Sequence, residues 1–182
     1  PEDAKAMEVL ILQMSESEWV WLEPGNLAGA DPIGVVTLPW SSVVAESLAE
    51  KEAMLSQRLF KAIADVARES EAAFIGIGRI DRQATLFQDH FISESELDEL
   101  LGREAVGELL GWPLNRRGEV IDCSITRRVT SLPLERFGKH LMVGIAGGRD
   151  KAPAILAALR GGWLKGLITD EIAARHILEA ME

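Results

Sequence analysis

Apolar residues fall along this chain in short runs and stripes separated by polar, glycine-rich punctuation. Met7 to Gln13 (MEVLILQ) and Ile33 to Leu38 (IGVVTL) have the length and apolar continuity of buried strands, the second rich in β-branched residues. Between them, SESEWVWLEPGNLAGADP carries Pro24, Gly25, Gly29 and Pro32, too closely spaced for a regular helix, and reads as loop. Leu55, Leu59, Ile63 and Val66 recur at helical spacing and predict a helix over Ser56 to Ser70, feeding AAFIGIG, a buried strand that ends in glycines. Ser93 and Glu96 have the spacing of a capping box ahead of LDELLGREAVGELLG, where Leu97, Leu100 and Leu101 share a face; a helical region broken near Gly102 is expected. Asn115 to Gly118 (NRRG) reads as a turn, and EVIDCSITRRV beyond it alternates like a strand, so a hairpin or irregular strand pair is expected there.

The last third is the most regular. LMVGIAGG reads as a strand, DKAPAILAALRGG as a helix stopped by glycines, GLITD as another strand, and EIAARHILEAME as a final helix capped by Asp170. Strand, helix, strand, helix with continuous apolar strands predicts a three-layer α/β domain built on a mostly parallel sheet.

With 182 residues the chain fits one domain, residues 1–182, able to bury a core without disulfides or metals. Its 47% apolar and 26% charged residues are ordinary for a globular protein, and no apolar run reaches the roughly 18 residues that span a bilayer, so no membrane partner is expected. Twenty-nine acidic against 19 basic residues give a net charge of −10, which repels phosphodiester backbones and disfavours nucleic-acid binding by these residues alone. The single cysteine, Cys123, excludes an internal disulfide and a multi-cysteine zinc site and suits a reducing, cytoplasmic compartment. Pro1 and the polar PEDAKAME opening suggest a boundary with more chain upstream.

Ligands of open parallel sheets bind outside the carboxyl ends of strands, where glycine turns lead into helices. Gly147 and Gly148, followed by Arg149, Asp150 and Lys151, make such a turn; its free backbone N–H groups and the helix dipole favour an anion. Arg149 and Lys151 oppose the dipole, each at a cost of about 0.3–1 kcal/mol unless an anion offsets it. Either a phosphate docks there or both side chains lie in solvent. The Walker spacing G-x-x-x-x-G-K-[ST] is absent. Gly76 and Gly78, with Arg79, Asp81 and Arg82, form a second turn at a strand end, serving either a ligand or only close packing. Glu108 in an apolar stretch is either a contact for sugar hydroxyls or an exposed helix position. His90, His140 and His176 lack any metal-ligand spacing, and no cofactor is implied. Cys123, without a nearby histidine, reads as a packing thiol. Trp19 and Trp21 are candidates for an interface, with coverage of the core edge as the alternative for all five tryptophans.

VGIAGGRDKAPAILAALRGGWLKGLITDEIAARHILEA, Val143 to Ala180, resembles the end of the sugar-binding effector domain of SorC-type bacterial transcriptional regulators. Upstream, FIGIGRIDRQATLFQDHFISESELDELLGREAVGELLGWPLNRRGEVID is similar to that family's G-I-G strand end, acidic helix, G-A-V-G-[DE] segment and D-x-x-G turn, in that order; LPW at Leu38 to Trp40 resembles its L-P-x-P. The resemblance covers roughly Gly34 to Glu182. It implies a Rossmann-like α/β fold similar to that of glucosamine-6-phosphate deaminase and ribose-5-phosphate isomerase, with ligand contacts at Gly76, Gly78, Glu108, Asn115, Gly147, Gly148 and Lys151. Lys151 would take the lysine position of the G-x-x-K-A phosphate turn, and Glu108 would touch hydroxyls or that lysine.

The implied function is a sensing domain, not an enzyme, that binds a phosphorylated sugar or polyol phosphate as effector. It would assemble as a homodimer or homotetramer and reach operator DNA only through an N-terminal domain outside these residues. The rival is a sugar-phosphate isomerase or deaminase of the same fold, opposed by the lack of an Asp-His acid/base constellation around the G-I-G turn. Four departures from the family pattern bear on the site. A first phosphate-binding turn upstream of Met7 and, in Ser15 to Asp31, the family's helix between its second and third strands have no counterpart, Asn115 stands for the usual acidic residue of D-x-x-G, and Glu104 for the glycine before A-V-G.

Overall fold

A β-strand that serves two sheets at once organises the molecule. The computed structural model describes residues 9–13, 35–39, 43–69, 72–137 and 141–181. In chain order these form β1 (Val9–Gln13), β2 (Val35–Pro39), α1 (Leu48–Ser56), α2 (Arg58–Glu69), β3 (Ala72–Arg79), the single turn α3 (Thr85–Gln88), α4 (Glu94–Gly102), β4 (Ala105–Leu109), β5 (Trp112–Asn115), β6 (Leu141–Ile145), α5 (Ala152–Arg160), β7 (Gly166–Ile168) and α6 (Glu171–Glu179). Five strands run parallel in the order β2-β1-β3-β6-β7, as the apolar runs predict. The first residues of β3 sit between β1 and β6, with Ala72 opposite both Val9 and Leu141. Its last three, Ile77 to Arg79, run on past the parallel sheet and pair antiparallel with β4, which closes a hairpin with β5.

Two apolar clusters result. Ile75, Ile77 and Met142 of the sheet pack with Leu109 and Leu114 of the hairpin and with Ala154, Ile155, Ala158, Ala173 and Ile177 of α5 and α6. Leu97 and Leu100 of α4 join Ile80, Leu86, Ile121, Ile125 and Val129 in a second. Trp112 and Trp163 cover the core edge, their indole N–H groups donating to the carbonyls of Leu132 (3.0 Å) and Gly118 (2.7 Å). Trp19, Trp21, Trp40 and His140 lie outside the described residues.

The Ser93–Glu96 capping box forms in full, and α4 ends at Gly102 as expected. The expected helix does not resume beyond it. Glu104 turns the backbone into the left-handed region at φ 58°, and Ala105 to Leu109 continue as β4. Gly107, Gly111 and Pro113 within seven residues disfavour a helix, and two edges of β3 and β5 were available to pair with. A second difference lies in EVIDCSITRRV. Its alternation is real, with Ile121, Cys123 and Ile125 buried between exposed Asp122 and Ser124, but the backbone makes only the isolated bridge Leu114–Val120 before a 3₁₀ turn over Thr126–Arg128. Cys123 is a buried packing thiol beside Thr126. The expected single helix over Ser56 to Ser70 begins earlier, as α1, and restarts at Arg58 as α2. None of α1's residues is buried, so no apolar stripe marked it.

Leu109 is wholly buried between the hairpin and α5. Leu109→Ala should lower the urea-unfolding free energy by about 2–5 kcal/mol, measured at fixed m value.

Candidate functional site

The extension of β3 beyond the parallel sheet lifts Gly78 over the carboxyl ends of the strands, directly opposite Glu108 of β4. Glu108 is 1% exposed, so it occupies neither the exposed helix position nor open solvent. Its side chain lies across Gly78 so closely that a Cβ there would fall 1.8 Å from Oε1. Its Oε2 accepts the Gly111 N–H at 2.6 Å. That amide is presented by a two-residue hairpin turn in which Leu110 and Gly111 both have left-handed φ, 54° and 85°, the pattern of a type I′ turn. Burial pushes the Glu108 carboxyl up to about 7, against the opposing pull of the Gly111 amide and the Lys151 charge.

Lys151 comes from the neighbouring strand. β6 runs beside β3, with Gly76 opposite Ile145, and leads through Gly147 and Gly148 into a 3₁₀ turn over Arg149–Lys151 and then α5. Gly148 adopts φ 87° and ψ 153°, a region open essentially to glycine alone. Lys151 is therefore the residue just before α5 rather than inside its first turn, and is half-buried. The Gly148 N–H, expected to be free, donates instead to Oδ2 of Asp170 at 2.6 Å. The amides of Arg149 and Asp150 have no acceptor among the described residues. Arg79 joins the two glycine turns, donating from Nη1 to Asp150 Oδ2 at 3.3 Å and pairing through Nε with Asp81 at 3.2 Å. Arg79, Arg82, Arg149 and Asp150 line an open groove of about 680 Å³ beside them.

Gly76, Gly78, Glu108, Gly147, Gly148 and Lys151 thus meet at one end of the sheet. Asn115 does not join them. Its Oδ1 accepts the N–H groups of Arg117 (2.9 Å) and Glu119 (3.1 Å), and its Nδ2 donates to Glu119 at 2.7 Å, so its side chain holds the NRRG turn. That turn packs on the far end of α5, where Gly118 abuts Ala157 and Gly161. Nine helical residues, about 13 Å at 1.5 Å each, separate it from Lys151. Sequence reasoning places Arg79 in the second glycine turn without assigning it a contact, and Asp170 is legible only as a helix cap. Among the described residues no cluster of His, Cys, Asp and Glu could hold a metal ion, and no helix is long and apolar enough to cross a membrane.

The family model described as "Putative sugar-binding domain" matches residues 27–179. The chain belongs to this sugar-binding domain family. The erythritol catabolism regulatory protein EryD of Brucella abortus is 33% identical over 147 residues, 81% of this chain and 46% of EryD. The transcriptional regulator LsrR of Enterobacter sp. is 34% identical over 160 residues, 85% of this chain and 48% of LsrR. The chain spans about half the length of the curated relatives it matches. The full-length sorbitol operon regulator SorC of Klebsiella pneumoniae superposes with a TM-score of 0.70 at 21% identity, over 80% of this chain and 47% of SorC, which shows the shared fold.

A carboxyl whose pKa is higher folded than unfolded binds its proton more tightly in the folded state. Glu108 therefore costs no stability below about pH 4.5, and its cost grows to roughly 3 kcal/mol as pH rises through about 7. Glu108→Gln keeps an acceptor for Gly111 and removes that slope. Urea unfolding of both proteins should show the variant gaining on wild type between pH 4.5 and 7.5. Gly78→Ala should cost about 1–3 kcal/mol, and less when Glu108 is truncated to alanine, a coupling that a double-mutant cycle reads.

Proposed function

We propose that this chain is an effector-binding portion of a bacterial transcriptional regulator of carbohydrate metabolism, and that its ligand is a phosphorylated sugar or polyol phosphate. The observation that carries the reading is the meeting of a glycine turn bearing Lys151 with a buried carboxylate, Glu108, at the carboxyl end of a parallel sheet. Membership of the sugar-binding family and two regulator relatives support it, one of them named for erythritol catabolism. In this reading the amides of Arg149 and Asp150 and the Lys151 ammonium take the phosphate. Gly76 leaves room beside β3, while the space over Gly78 is taken by Glu108. Glu108, with one oxygen held by Gly111, serves as counter-charge to Lys151 more readily than as an open contact for hydroxyls.

Residues 1–182 form one sensing unit in this proposal, without catalysis, in the cytoplasm. Operator DNA is contacted by sequence outside this unit, consistent with relatives about twice as long and with a net charge of −10. Exposed Ile145 and Ile168, neighbours on β6 and β7, with Ile172 beyond them, offer an apolar surface for a homodimer or homotetramer.

Lys151→Ala removes a charge that opposes the helix dipole but also a counter-charge to Glu108, so the free protein should change in stability by no more than about 1 kcal/mol. The substitution should weaken a phosphorylated sugar by about 1.5–3 kcal/mol, the range of a charge-assisted hydrogen bond, and leave any binding of the unphosphorylated sugar unchanged. Thermal shift with a panel of sugar phosphates measures both. Loss of several kcal/mol in the free variant, or undiminished phosphate-dependent stabilisation, would overturn this placement; turnover of a sugar phosphate would favour the isomerase or deaminase instead.

A further inference from the structure

Asp170 already does to the glycine turn what an effector's anion would do. Its Oδ1 accepts the Ala173 N–H at 2.7 Å and caps α6, while its Oδ2 reaches 22 residues back in sequence to the Gly148 N–H at 2.6 Å. The carboxylate fills the concavity of the turn: a Cβ on Gly147 would lie 2.4 Å from Oδ2. One N–H cannot serve two anions, and a phosphate brought against Asp170 would meet a like charge at contact distance. Next to Asp170, the buried hydroxyl of Thr169 has no hydrogen-bond partner, so the strand end that carries this carboxylate is not fully satisfied as it stands.

We propose that Asp170 is an internal stand-in for the effector's phosphate. The bound phosphate takes the Gly148 amide, Asp170 withdraws, and the start of α6 is released. The inference rests on the reading of this turn as a phosphate site and adds how occupancy leaves it. α6 packs through Ala173 and Ile177 on the main core and carries Ile172 and Leu178 exposed, so a shift at its first turn re-presents an apolar surface.

The test uses the 182-residue chain with inorganic phosphate as probe, read by amide hydrogen exchange and by phosphate affinity. In wild type, phosphate should speed exchange of the Ala173 amide and the first turn of α6 while leaving the middle of α5 protected. Asp170→Asn keeps a capping side chain but loses the charge, and should bind phosphate about ten-fold more tightly, the factor that 1.4 kcal/mol of competing contact corresponds to. Asp170→Ser, which caps without charge, should do the same if the asparagine variant folds poorly. Phosphate binding to wild type with unchanged exchange in α6, and with equal affinity in the Asp170 variants, would make Asp170 a helix cap only; the proposal would fall and the phosphate site would stand. No phosphate binding to wild type or to either variant at tens of millimolar would overturn the site and the proposal together.

Discussion

Burying a carboxyl to 1% exposure is costly, and much of this structure either imposes that cost on Glu108 by shielding it from water or offsets it with a bond and a counter-charge. Shielding comes from the antiparallel hairpin, which closes against the end of β3 only because Gly78 has no side chain to compete for the same space. The bond comes from Gly111, whose amide is turned inward by two consecutive left-handed residues, one of them a leucine that would not choose that conformation unaided. The counter-charge comes from Lys151, placed by the adjacent strand. A chain that satisfied only the parallel sheet would need neither the hairpin nor the three extra residues of β3.

The parallel part of the fold was legible because its strands read as continuous apolar runs, with the middle of β3 and of β6 buried, while α5 and α6 carry stripes and stops. Element identity failed where burial and hydrogen bonding part company. AVGEL presents the same apolar density as the helix before it, and only the backbone edges of β3 and β5 decide that it is a strand. Ile121, Cys123 and Ile125 alternate as strand residues do but find one bridge nearby, so they bury their side chains from an irregular segment. α1 left no pattern to find, because a helix with every side chain outside its core has no periodic signal.

For the site, position was legible and engagement was not. Glycines at strand ends announce where backbone must turn or be approached, and Gly76, Gly78, Gly147 and Gly148 do lie at neighbouring strand ends. Asn115 shows the limit of spacing alone: a turn motif identifies a turn, and its side chain is spent on the amides of Arg117 and Glu119 a helix length away. Asp170 shows the converse. Local sequence reveals the short-range half of its work, the cap on Ala173, whereas the bond to Gly148 spans 22 residues and exists only once β6 and β7 lie side by side.

That same pairing bears on why two cations stand at this turn in a chain with ten more acids than bases. Carboxylates are close by, yet each is engaged elsewhere: Asp150 with Arg79, Asp170 with two backbone amides, and Glu108 beneath the surface with Gly111. Arg149 has no ion-pair partner among the described residues, and Lys151 faces only the buried Glu108 carboxyl without forming a salt bridge to it, although both lie where the helix dipole disfavours positive charge. Local acids are thus arranged to hold the backbone in shape rather than to neutralise these side chains. A turn whose own carboxylates are occupied by backbone and whose cations are incompletely countered is stabilised most by an anion from outside, which is the physical content of the phosphate-binding role proposed for it.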